Sequence, residues 1–245
     1  MLKLAIPLLT IALLASCKTE QDPFDRDFGF DYYPLEVGKS MIYQMDSTIY
    51  DPTGDSMLIH STSFLKETVV DSFIDLTGTP VYRIEQYHRA ADTLPWVINK
   101  VVTASITNNQ AQRVEDNLRF IKLTFPVREN NSWDGNVFFD SGTKVTVAGE
   151  TLEMFKSWSY RIIEKDHPES IGAFSFPEVV TVQNADSENL IELRLAHEKY
   201  ARGVGLVYRE LWILDTQCIE DCIGMTWEQK AEKGFILKQT LIDHN

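Results

Sequence analysis

From Met41 to Ile242 the chain reads as short runs in which apolar and polar residues alternate, each run halted by proline, glycine or aspartate. Met41, Tyr43 and Met45 alternate with Gln44 and Asp46, and the run stops at Asp51-Pro52-Thr53-Gly54-Asp55. A period of two places successive side chains on opposite faces of a sheet, and turn residues between such runs predict hairpins. Runs 58–70 and 81–87 flank Leu76-Thr77-Gly78-Thr79-Pro80 in the same way. Further runs at 96–106, 118–125, 144–147, 158–163, 178–182, 190–195 and 204–214 are rich in valine, isoleucine, threonine and aromatics, the residues that suit a pleated, half-buried surface. One helix is expected: Thr226 and Gln229 have capping-box spacing, 227–233 holds good helix formers, and Gly234 stands at the C′ position. The run 235–242 then returns as a last strand. The expected class is all-β: a curved antiparallel sheet or partly closed barrel with one short C-terminal helix, against the rival of a two-sheet sandwich.

No proline-, glycine- or serine-rich linker, charge block or repeat divides the middle of the chain, so 32–245 is read as a single β-rich domain. The formal net charge is −13. That sign argues against nucleic acid or anionic lipid head groups as partners, because both require a basic surface.

The first residues have another purpose. Met1-Leu2-Lys3 and the apolar run to Ala15, broken by Pro7 and Thr10, match a secretory signal. The run is shorter than the ~20 residues a membrane-spanning helix needs. Leu14-Ala15-Ser16-Cys17 resembles the bacterial lipobox. The resemblance implies a signal peptide over 1–16, lipidation of Cys17, and the membrane as a partner through that N-terminal anchor. An ordinary secretory cleavage site, with Cys17 incidental, is the alternative. Residues 17–31 are expected as a lipidated polar tether. No aspartate follows the cysteine, so the expected location is the outer membrane, facing the periplasm or the surface. Removing 1–16 takes away Lys3 and no acid, moving the net charge from −13 to −14.

Two further cysteines remain, Cys218 and Cys222, an even pair suited to a disulfide in an oxidising envelope, with reduced thiols or half a metal site as alternatives. Three segments carry a broader likeness. Tyr32-Tyr33-Pro34-Leu35-Glu36-Val37-Gly38, Phe125-Pro126-Val127 through Trp133-Asp134-Gly135-Asn136, and Tyr200-Ala201-Arg202-Gly203-Val204-Gly205-Leu206-Val207 resemble segments of uncharacterised outer-membrane lipoproteins of Bacteroidota. That group has no agreed activity, and the resemblance implies at most a hydrophobic groove in a curved sheet. Physically the motifs read as scaffold: Pro34 and Gly38 set the approach to the first strand, Gly203 and Gly205 permit a turn or bulge, and Trp133 plugs one end of the core.

The search for chemistry returns little. His60, His88, His167, His197 and His244 show no metal-ligand spacing, and His197-Glu198 lacks the second histidine of a zinc-protease helix. No nucleophile elbow, phosphate loop or dinucleotide fingerprint is present. Asp22, Asp25, Asp27 and Asp31 miss the spacing of a calcium loop and read as solvated acids. No catalytic residue, metal or cofactor is therefore expected. Asp-Ser/Thr-apolar triplets mark Ser47, Ser56 and Thr93 as candidate O-glycosylation acceptors. Tyr32, Tyr33, Trp96, Trp158 and Trp212 either pack the core or line a groove. Three functions stay open: a non-enzymatic lipid-anchored envelope protein of unassigned role, a carrier of a lipid or other apolar small molecule, and a hydrolase working through a carboxylate pair. The interior of the β body decides among them.

Overall fold

The computed structural model describes residues 27–245. The expected signal 1–16, Cys17, Asp22 and Asp25 lie outside the described residues. After a 3-10 turn at Phe30–Tyr32 come β1 (Ser40–Tyr50), β2 (Leu58–Ile74), β3 (Pro80–Arg89), β4 (Val97–Thr107), β5 (Gln110–Glu115), β6 (Leu118–Thr124) and β7 (Ser132–Trp133). A small hairpin of β8 (Val145–Val147) and β9 (Glu150–Leu152) follows, then β10 (Trp158–Ile171), β11 (Phe174–Glu188), β12 (Glu192–Ala201) and β13 (Gly205–Asp215). The helix α1 (Trp227–Lys230) and β14 (Lys233–His244) complete the described chain.

Twelve strands form one sheet in the order β6-β5-β4-β3-β2-β1-β14-β13-β12-β11-β10-β7, with antiparallel pairing such as Tyr43 opposite Leu241 and Leu65. The two ends of this order meet. Ile121 N donates to Gly135 O at 2.8 Å, and Trp133 Nε1 donates to Ile121 O at 2.9 Å. The sheet is thus an up-and-down barrel, closed except for this narrow seam, and the all-β expectation holds with the barrel favoured over the sandwich. Closure removes the exposed edges that an open sheet must otherwise protect.

The alternation is where the sequence places it: Tyr43, Val207 and Leu241 are fully buried and pack together inside the barrel. Twelve strands, however, enclose more space than strand side chains alone fill; about eight is the number at which they just do so. At the upper end, where β1 begins, the N-terminal segment crosses the opening. Val127 N donates to Phe28 O at 3.0 Å, and Gly203 N to Asp31 O at 2.8 Å. Tyr32 is fully buried, and Tyr33 and Leu35 pack on the core residues Val69, Ile84, Val102 and Ala104.

Several expectations are corrected. Residues 27–31, read as the end of the tether, are docked, because Arg202 in the β12–β13 turn gathers Asp27 and Asp31 at 2.9 Å each. Gly234 is not a helix cap. The helix stops at Ala231, and Gly234 sits in β14 where an added Cβ would fall 2.0 Å from Ile213 O. Glycine is needed there because β13 and β14 approach too closely for a side chain. Trp133 packs beside Tyr160 at the seam, with ring centroids 5.7 Å apart, and does not plug an end. β5 lies between the expected runs 96–106 and 118–125, where no strand is expected from the sequence, and β10 and β11 run well beyond the expected spans.

Candidate functional site

Halfway along the barrel the apolar interior is interrupted by charge. Glu67 on β2, Arg113 on β5, Lys122 on β6 and Glu198 on β12 are each less than 9% exposed. Alternation places them there: Arg209 shares a face of β13 with the core residues Val207, Leu211 and Ile213, and Glu198 shares one of β12 with Ala196 and Tyr200. Charges in such surroundings persist only when paired and hydrogen-bonded.

The pairing has two centres. Arg113 donates to Glu67 from Nη2 (2.5 Å) and Nη1 (3.3 Å) and to Glu115 from Nε (3.1 Å), and Gln86 adds a bond to Glu67 at 2.6 Å. Glu198 receives Lys122 at 2.5 Å, Arg209 Nε at 2.9 Å, the Tyr200 hydroxyl at 2.7 Å and Asn184 Nδ2 at 3.3 Å. Burial alone would raise the Glu198 pKa, but Lys122 and Arg209 overcome it and hold the carboxylate down at about 2. Glu115 is likewise held well below the usual range: burial is overcome by Arg113, Arg209 and Lys100. Lys122 is the exception among the cations. Burial pushes its amine down to about 8; Glu198 opposes that, and the nearby guanidiniums of Arg209 and Arg113 reinforce it.

This charged layer separates two spaces. Above it, beneath the N-terminal segment, a cavity of about 40 Å³ lies between Tyr33, Met41, Val69, Tyr200 and Leu206. That is room for a few waters at most. Below it a cleft of about 210 Å³ opens toward the lower end of the barrel. Its walls are Leu118, Phe120, Val145, Met154, Phe155, Trp158 and Leu211, with Asp116 at the β5–β6 turn; Arg113, Glu115, Lys122, Glu198 and Arg209 face it from the charged layer. Typical small-molecule sites measure ~300–1,000 Å³, so an occupant here is small or projects from the mouth.

The wall is firmly built. Phe155 meets Phe120, Phe139 and Trp158 with ring centroids 5.6, 5.1 and 5.4 Å away. Trp158 Nε1 donates to Met154 O at 2.7 Å, and the buried Arg194 donates from Nε to Glu153 O at 3.0 Å, tying the 153–155 stretch to β12.

Of the residues the sequence marks, Trp158 lines the cleft and Tyr33 the upper cavity. Trp212 lines a groove on the outer face, and Trp96 stacks under Arg89, 4.4 Å from its ring centroid. Cys218 and Cys222 are disulfide-bonded in the β13–β14 connection, Cα atoms 5.7 Å apart. Ser56 and Thr93 are exposed in lower turns, whereas Ser47 is half-buried in β1 and bonded to Ser61 at 2.8 Å. His60 bonds Thr48 at 2.9 Å, and burial lowers the pKa of His197. Among the described residues no group of three or more His, Cys, Asp or Glu stands ready to hold a metal ion. Sequence reasoning does not single out Arg113, Lys122, Glu198 or Arg209. The available signal was a charge recurring on an otherwise apolar strand face, as Arg209 does between Val207 and Leu211.

No protein-family model matches this chain, and no curated protein sequence does. Among solved structures the chain is similar to a protein of Parabacteroides distasonis ATCC 8503 described as a lipoprotein, with 12% identity and a TM-score of 0.39 over 87% of this chain and 98% of that one. It is also similar to a protein of Bacteroides fragilis NCTC 9343 described as exported and as having a YmcC-like fold, with 10% identity and a TM-score of 0.37 over the same shares. Both likenesses are too distant to bear on function.

Proposed function

We propose that this chain is a lipid-anchored envelope protein that binds an amphipathic small molecule in the lower cleft of its barrel. The observation that supports this reading is the cleft itself: apolar walls leading to a layer that holds Arg113, Lys122 and Arg209. Concave, mostly apolar sites with a few converging polar groups are how proteins take small ligands. The anchor rests on the lipobox-like Leu14-Ala15-Ser16-Cys17. The first described residue, Asp27, joins the barrel at its upper end through Arg202.

A carboxylate-pair hydrolase fits less well. A general acid needs a raised pKa; of the three carboxylates lining the cleft, Glu115 and Glu198 are displaced downward and Asp116 is exposed and paired with Lys100 at 2.6 Å. Two measurements test the reading. Cys17→Ala is expected to move the protein out of the membrane fraction; unchanged fractionation with normal processing overturns the anchor. Delipidated protein titrated with a fluorescent fatty-acid probe is expected to saturate at one site, and Phe155→Arg in the wall to abolish that signal. A wild-type protein without saturable binding overturns the binding reading.

A further inference from the structure

The lower cleft has a surplus of hydrogen-bond donors, and the surplus is local. Around Glu198 two cations share one carboxylate: Lys122 Nζ takes one oxygen, and Arg209 Nε takes the same one. The second Glu198 oxygen is already engaged by Tyr200 and Asn184. Arg113, by contrast, has a partner at every nitrogen, with Nε on Glu115 and both Nη groups on Glu67. Glu115 also receives Lys100 at 2.8 Å. Among the described residues Arg209 donates a hydrogen bond from Nε alone, and it lines both the cleft and the upper cavity, so its two Nη groups stand without a protein acceptor in the layer between them.

We infer that the occupant of this cleft is a straight-chain monocarboxylic acid, its head group on the Nη edge of Arg209 with Lys122 beside it and its alkyl tail along Met154, Phe155 and Trp158. The inference rests on the binding reading above and names the ligand class. A guanidinium edge presents two parallel N–H donors that match the two oxygens of a planar carboxylate. The charge count limits the head group further. Arg113, Lys122 and Arg209 stand against Glu67, Glu115 and Glu198, so the layer is balanced as it stands, and a monoanion adds the least charge of any anionic head group. A phosphate monoester would bring up to two negative charges into the same interior, at the cost of their desolvation. An alcohol offers the guanidinium edge one acceptor oxygen where a carboxylate offers two. The tail side is equally specific, because the aromatic and methionine wall offers no polar partner to a second head group.

The experiment is calorimetric titration of the purified, delipidated chain at pH 7 with decanoate, decan-1-ol and decyl phosphate, which share a tail and differ in head group. Decanoate is expected to bind one-to-one and at least tenfold tighter than either of the others. Arg209→Gln, checked for folding by circular dichroism, is expected to weaken decanoate tenfold or more while leaving decan-1-ol unchanged. Decan-1-ol or decyl phosphate binding as tightly as decanoate overturns the head-group inference and leaves the binding reading standing. If none of the three binds, both fall. Should Arg209→Gln not fold, the wild-type series decides alone.

Discussion

Arg113 on β5 grips Glu67 on β2 inside the barrel, Nη2 lying 2.5 Å from Oε1 and Nη1 3.3 Å from Oε2, although β3 and β4 separate their strands. Both residues are at least nine-tenths buried. A buried pair adds little net stability when intact, but removal of one partner leaves an uncompensated charge and costs ~3–5 kcal/mol. Arg113→Met is therefore expected to lower stability in urea denaturation by about that amount. Glu67→Leu combined with Arg113→Met is expected to recover most of the loss, since the stranded carboxylate is then gone. A single-variant loss below about 1 kcal/mol, the scale of exposed ion pairs, counts against a dry interior pair.

The same charged layer explains which parts of the fold the sequence makes legible. β1, β2 and β13 announce themselves because their inward faces are mostly apolar, with Glu67 on β2 and Arg209 on β13 as single interruptions, and the period of two survives. β5 is hidden. Its inward residues Ala111, Arg113 and Glu115 alternate with Gln110, Gln112 and Val114, so polar residues occupy both faces and the pattern vanishes. A charged side chain in a strand ordinarily marks the solvated face, which is why Lys122 draws no notice in sequence and Glu198 only as a neighbour of His197. Their burial depends on strands distant in the chain, β6 and β12, meeting across the interior. Pairing of that kind has no local signature.

Arg202 fastens the N-terminal segment over the upper opening. It reaches Asp27 and Asp31 at 2.9 Å, Asp166 at 3.2 Å and Glu178 at 2.7 Å, and its guanidinium lies 4.6 Å from the Tyr32 ring centroid. Its partners are half-exposed, so each contact contributes modestly, within the ~0–1 kcal/mol of surface pairs. The consequence is local. In Arg202→Ala, amide exchange over residues 28–37 is expected to accelerate at least tenfold while exchange in β12 and β13 stays near wild type, as segments with few anchoring contacts open independently. Equal protection in both proteins shows that the packing of Tyr32, Tyr33 and Leu35 and the backbone hydrogen bonds of Phe28 and Asp31 hold the segment without Arg202.

Gly135 carries the seam. Its carbonyl accepts from Ile121 N, and a Cβ at this position would stand 2.3 Å from the ring of Tyr160, which is fully buried and donates to Asn136 Oδ1 at 3.0 Å. The ring cannot retreat, so Gly135→Ala is expected to cost ~1–3 kcal/mol, the range for overpacked cores. Gly142→Ala provides the comparison, since its added methyl would meet only the Asp140 side chain at 3.3 Å; a change within ~0.5 kcal/mol is expected there. Thermal or urea unfolding of the two variants side by side checks the difference. Equal stability would mean that the seam gives way without loss.

Glu198 makes stability depend on acid in a defined window. Its carboxyl titrates at an ordinary 4.5 when exposed and at about 2 in the folded chain, because Lys122 and Arg209 favour the ionised form more than burial disfavours it. A depressed carboxylate contributes its full stabilisation above the unfolded value and loses it as pH falls through the folded one. That contribution is on the order of 3 kcal/mol, from ~1.4 kcal/mol per pKa unit. Glu198→Gln removes it at every pH. The stability gap between wild type and Glu198→Gln in urea is therefore expected to be widest at pH 5–7 and to narrow steadily from pH 4.5 toward pH 2. Lys122 runs in the opposite sense and in a separate window. Its folded value near 8 lies below the ordinary 10.5, so the folded chain sheds that proton first and stability from this group rises between those pH values. The acid limb thus reports on Glu198 without interference from its partner, and a gap that stays constant from pH 6 to pH 3 would show that the carboxylate is not held by the two cations.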